Sequence, residues 1–174
     1  MGVLTFTTAE VEKVLDGRYN SFRQDVVDGE HTSGDPQAIS AGTPVRYTVD
    51  GATRNNTTAP THITDRWDTT NNKITMATAL DHPVYVAQFA FTFDPTVEAA
   101  GVVTLRTYID DASPKLINTL STDYKSVTAV EGILVTWYFG EDAGYDAKND
   151  GVYFEIEFSG AGDLYGKSIT IYRT

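Results

Sequence analysis

The chain has 174 residues, 41% apolar and 21% charged, a composition that supports one folded domain with a full core and argues against a disordered chain. Its net charge is −11 and it contains no run of Lys or Arg, which excludes a nucleic-acid partner held through phosphate contacts. It has no cysteine, so disulfide frameworks, thiol nucleophiles and zinc-thiolate sites are excluded as well.

The opening stretch MGVLTFTTAEVEKVLDG has neither a basic start nor a long apolar run, so no secretion signal and no membrane partner are expected. Thr7 and Glu10 have the spacing of a capping box, Phe6 and Val11 that of a hydrophobic staple, and Gly17 supplies a stop. These signals predict a short helix whose apolar stripe is Val11, Val14 and Leu15. A helix of about ten residues is marginal alone in water, so it must dock on its own domain or on a partner.

Residues 18–60 are rich in turn chemistry: Asp-Gly, Ser-Gly-Asp-Pro and Ala-Gly-Thr-Pro, with one short alternating run, VRYTVDG, at 45–51. So long an irregular stretch predicts an extended arm. From about residue 62 the pattern becomes a succession of strands. In HPVYVAQFAFTFDP the residues Tyr85, Ala87, Phe89, Phe91 and Phe93 share a face; in GVVTLRTYIDD, Val103, Leu105, Thr107 and Ile109 do. PKLINTLST is less regular. GILVTWYFG alternates Ile133, Val135, Trp137 and Phe139 against Leu134, Thr136 and Tyr138, and KSITIYRT turns Ile169 and Ile171 inward. Strands broken by Gly, Pro and Asp, with no helices between them, predict an all-β fold: an antiparallel β-sandwich of the jelly-roll kind, preceded by a short N-terminal helix and an extended arm. The predicted division is residues 1–60 for helix and arm and 61–174 for the sandwich. Outward positions such as Val102, Tyr108, Leu134 and Tyr138 are more apolar than a monomer favours, which points to association between subunits.

The strand GVYFEIEFSG places Glu155 and Glu157 on one face, about 7 Å apart. Glycosidases set their two carboxylates across a cleft from different elements, whereas simple alternation already predicts polar residues at these two positions. They are read as the outer or inter-subunit face of the sandwich, and no catalytic residue is assigned. Asp146, Asp150, Gly151 and Glu157 fit part of a calcium-loop pattern, but Lys148 occupies a ligand position. A looser site using Asp142, Asp146 and Asp150 competes with an ordinary acidic loop, and no metal or cofactor is expected. His31, His62 and His82 are far apart in loop contexts. Trp137 falls on the inward set, while Trp67 and Tyr145 are the aromatics open to a carbohydrate-binding role.

The stretches ITDRWDTTNNKIT, HPVYVAQFAFTFDP and GYDAKNDGVYFEIEFSGAGDLYGKSITIYRT, together with FTTAEVEKVLDG, resemble capsid decoration (cement) and head-fibre proteins of tailed bacteriophages with a tumour-necrosis-factor-like jelly roll. The resemblance implies a non-enzymatic homotrimer that binds the major capsid protein on the exterior of a phage head assembled in the bacterial cytoplasm. It implies capsid anchoring through the N-terminal region, for which Phe6, Val11, Val14, Leu15, Arg18, Tyr19, Phe22 and Arg23 are the candidates. It also implies a trimer interface of outward apolar residues, here Val102, Tyr108, Leu134, Tyr138 and Tyr153. The alternative is a neck or tail fibre, or a carbohydrate-binding, receptor-binding jelly-roll module.

Overall fold

A computed structural model describes residues 22–59, 66–76, 84–97, 99–124, 133–138, 147 and 149–173. Within them the fold is all-β, with every strand pairing antiparallel. The strands in chain order are β1 (Phe22–Val27), β2 (Gln37–Ile39), β3 (Val45–Arg46), β4 (Arg54–Thr58), β5 (Arg66–Asp68) and β6 (Lys73–Thr75). They continue with β7 (Val84–Pro95), β8 (Gly101–Ile109), β9 (Lys115–Tyr124), β10 (Ile133–Tyr138), β11 (Val152–Phe158) and β12 (Gly162–Arg173). One sheet runs β10-β7-β12-β1-β4, with β2 also on β12; the other runs β5-β6-β11-β8-β9, with β3 also on β11.

Alternation explains the long strands. On β7 the buried set is Tyr85, Ala87, Phe89, Phe91 and Phe93, on β8 Val103, Leu105, Thr107 and Ile109, and on β11 Val152, Phe154, Ile156 and Phe158, with Tyr153 buried as well although it lies on the opposite face. Rings from the two sheets meet in the middle. Phe93 lies parallel to Phe158 at 3.9 Å between centroids, and Phe89 meets Phe154 edge-on at 4.8 Å. Phe158 also touches Phe91 and Tyr124, so it is the ring on which both sheets close. Truncating it leaves a cavity that those rings cannot collapse to fill. Phe158→Ala should therefore cost about 3–5 kcal/mol, read as a lower midpoint in urea denaturation with an unchanged slope.

The last strand carries a change of parity. Leu164 points inward, and so do Lys167, Ile169 and Ile171, because one extra residue enters β12 between Tyr165 and Ser168. Gly166 sits in that bulge at φ +59, a conformation that suits glycine. Tyr47 packs beneath it, its buried hydroxyl against the carbonyl oxygens of Ser168 at 2.9 Å and Ala90 at 3.0 Å.

The boundary predicted at residue 60 is corrected by this topology. Residues 22–58, expected as an arm, supply β1 and β4 to one sheet, β2 to an edge of β12 and β3 to the other sheet. β1 is an interior strand between β12 and β4, and its Gln24 is buried. Gln24 Nε2 donates to Asn55 Oδ1 at 2.7 Å, and its Oε1 accepts the backbone N–H of Trp67 in the opposite sheet. β2 and β3 are too short to show a period, and β4 is polar throughout with no apolar alternation, which is why turn chemistry dominates the reading of this stretch. The predicted N-terminal helix, with Phe6, Val11, Val14, Leu15, Arg18 and Tyr19, lies outside the described residues.

Candidate functional site

Two polar assemblies stand out. The first is on the outer face of the sheet containing β11. There Tyr153 on β11 faces Tyr108 on β8, the rings stacked at 5.2 Å and 12°. The Arg46 guanidinium lies 4.1 Å from the Tyr153 ring on its other side. Across β8, Leu116 on β9 is paired with Tyr108 and is 53% exposed. Arg46, Tyr153, Tyr108 and Leu116 thus form one row across four adjacent strands. With Tyr108 and the Arg46 guanidinium both against its ring, Tyr153 does not offer a flat platform to a sugar.

Glu155 and Glu157 occupy the same outer face, half-buried. Arg106 Nη1 donates to Glu157 Oε2 at 2.7 Å, an ion pair between neighbouring strands. Burial pushes the Tyr108 and Tyr153 phenols up, and the adjacent Glu155 carboxylate pushes them further. Below the row, Asp110 receives Lys73 at 2.9 Å and Arg46 at 3.5 Å. Lys73 Nζ also donates to the Asp150 carbonyl at 2.7 Å, which places an ammonium beside one of the three aspartates considered for calcium. Asp142 and Asp146 lie outside the described residues, as do Tyr145, His62 and His82.

The residues expected at a trimer interface fall on two sheets. Val102, Tyr108 and Tyr153 share the outer face just described, with Val102 toward its far end opposite Asp123. Leu134 and Tyr138 belong to β10, which among the described residues is an edge strand of the other sheet. Of the anchoring candidates, Phe22 opens β1, paired with Arg173, and Arg23 is exposed beside it. The Arg23 guanidinium lies 3.1 Å from Asp25 and 5.3 Å from the Tyr172 ring, held to its own sheet. Trp67, open to a sugar-binding role in the sequence, is buried against Phe154 with its indole N–H on the Val49 carbonyl at 3.2 Å. That burial removes it from any surface role.

The second assembly is one that the sequence reading passed over. Lys167 is fully buried just past the bulge, and its Nζ lies 3.4 Å from Asp28 Oδ2, 2.9 Å from Thr48 Oγ1 and 3.1 Å from Gln37 Oε1. Asp28 follows β1, and its backbone N–H donates to the Lys167 carbonyl at 2.9 Å. His31 Nδ1 is 3.1 Å from the same Oδ2, while Oδ1 accepts the backbone N–H groups of Glu30 at 3.3 Å and Asp50 at 3.4 Å. Burial acts to push the Asp28 carboxyl up, but the Lys167 ammonium, His31 and the two backbone donors outweigh it and hold it below the usual carboxylate range. For Lys167, burial wins and lowers the ammonium despite the attraction of Asp28. Asp28, Glu30 and His31 are close enough to share a cation, but the Lys167 ammonium already holds a positive charge on the Asp28 oxygen they would use. Two local signals mark this hub in retrospect: a lysine among inward-facing isoleucines, and a glycine one residue before it inside a strand.

Fold and assemblies together define an all-β protein built from two antiparallel sheets packed face to face around an aromatic core, with a buried ionic hub at one seam. No protein-family model matches the sequence, and no curated protein matches it at a significant level.

Proposed function

We propose that this chain is a structural protein of a phage virion, a non-enzymatic capsid decoration protein whose jelly-roll bodies associate as a homotrimer. The observation that carries the reading is the row of Arg46, Tyr153, Tyr108 and Leu116 across the outer face of one sheet, ending in a leucine 53% exposed. Tyr153 is already buried within the single chain, so what remains for a subunit contact is the exposed Leu116 beside the half-buried Tyr108, apolar surface where an isolated sandwich turns polar side chains to water. The nested pairing of β7 with β12 in one sheet and β8 with β11 in the other supports the jelly-roll assignment. In this reading the N-terminal segment anchors the body to the major capsid protein, and three linked copies attach with greater avidity than one.

Light scattering coupled to size exclusion should find a species near three times 19.0 kDa. Leu116→Asp should shift it to the monomer, because each subunit would lose about 2 kcal/mol of apolar burial and place a carboxylate in the contact. Leu116 faces water in the single chain, so the variant should unfold at the same denaturant concentration as a monomer. A wild-type monomer at high protein concentration would remove the trimer reading.

A further inference from the structure

The surroundings of the Lys167–Asp28 pair hold more than an ion pair needs. The amine nitrogen lies 3.4 Å from Oδ2, and His31 Nδ1 lies 3.1 Å from that same oxygen. The other oxygen, Oδ1, is held by two backbone N–H groups, those of Glu30 and Asp50. A buried nucleophile, a proton-carrying group on one carboxyl oxygen and two fixed donors on the other are the parts that acyl transfer requires. The backbone bond from Asp28 N–H to the Lys167 carbonyl holds the two residues at a fixed separation.

We propose that Lys167 and Asp28 form an intramolecular amide between Nζ and Cγ. A proton passes from the Lys167 ammonium to the Asp28 carboxylate, leaving a neutral amine and a neutral acid, a minor form of the pair but the one from which Nζ can attack. The Nζ lone pair then attacks Cγ, and the negative charge that develops on Oδ1 is held by the Glu30 and Asp50 N–H groups. The Cγ–Oδ2 bond breaks, and Oδ2 leaves as water with a proton supplied through His31, which takes back the proton released by Nζ. An ammonium and a carboxylate become one amide and one water, with no oxidant or reductant. His31 is 19% exposed, which gives the water a way out, whereas Lys167 and Asp28 are sealed against the reverse hydrolysis. The link would tie β1 to β12 and close the chain between residues 28 and 167 into a covalent loop.

Intact-mass spectrometry of the folded protein tests this directly. The wild type should be lighter than its sequence by one water. Trypsin should yield a branched product joining residues 24–46 to residues 149–173, uncut at Lys167. Lys167→Arg keeps the cation but cannot form the amide, and should show its full sequence mass. His31→Gln should accumulate the linked form more slowly. A wild type at full sequence mass overturns the proposal. So does a water loss that persists in Lys167→Arg, because Asp28 precedes Gly29 and a backbone succinimide at that step would lose one water without the lysine.

Discussion

Asp28→Ala is expected to destabilise the protein by about 3–5 kcal/mol relative to wild type that still carries the ionic pair, the cost of leaving a buried cation without its partner. Lys167 is fully buried, and with Asp28 gone its remaining partners are the neutral oxygens of Gln37 and Thr48. The same substitution removes the oxygen that accepts the Glu30 and Asp50 N–H groups, so the loops entering and leaving the seam lose their anchor. Lys167→Met should cost less, since Asp28 keeps His31 and two backbone donors. The double variant Asp28→Ala/Lys167→Met should recover part of the single loss, because no unpaired charge then stays buried. Guanidinium melts of the four proteins measure this, and a double variant that merely sums the singles would show that the two groups are not coupled. While the pair is ionic it also sets an acid limit. The folded Asp28 lies below its unfolded value, so its contribution is complete above the ordinary carboxylate range and is lost as pH falls through the depressed folded value. The lowered Lys167 acts at the other end: the unfolded chain binds its proton more tightly, so stability from this group rises as the solution turns alkaline.

Removing residues 1–43 should abolish the fold, whereas removing residues 1–21 should leave it. The larger deletion takes away β1 and β2, and with β1 go the sheet partner of β4, the buried Val26 and the Gln24 bridge between the sheets. It also removes Asp28. A domain's net stability is only about 5–15 kcal/mol, less than the loss of an interior strand and the ionic hub together. The protein lacking 43 residues should show no cooperative thermal transition. The protein lacking 21 residues keeps β1 to β12 and should still show a cooperative transition. On the proposed function, the shorter deletion should also lose co-sedimentation with capsids, since it removes Phe6, Val11, Val14, Leu15, Arg18 and Tyr19. Capsid binding that survives the shorter deletion would end the anchoring proposal while leaving the fold untouched.

The long strands were legible in the sequence because alternation is a property of a few consecutive residues. Phe89 with Phe93, Val103 with Leu105 and Phe154 with Phe158 each share a face by period alone, and each is buried. The same rule put Glu155 and Glu157 outward, where Arg106 meets Glu157. β9, with its apolar residues at irregular intervals, was harder to read because a bulge shifts its register near Tyr108.

Composition and periodicity by themselves determined the sheet-rich class, the inward faces of β7, β8 and β11, and the exclusion of thiol chemistry. Only the tertiary structure decided that residues 22–58 belong to the sandwich, since the short β2 and β3 and the polar β4 exist by virtue of the partners that hydrogen-bond them. It alone turned Lys167 inward, through one extra residue at Gly166, and brought it to Asp28 from the far end of the chain. Whether a charge is buried depends on who lies opposite, and that is a non-local fact no window of sequence contains.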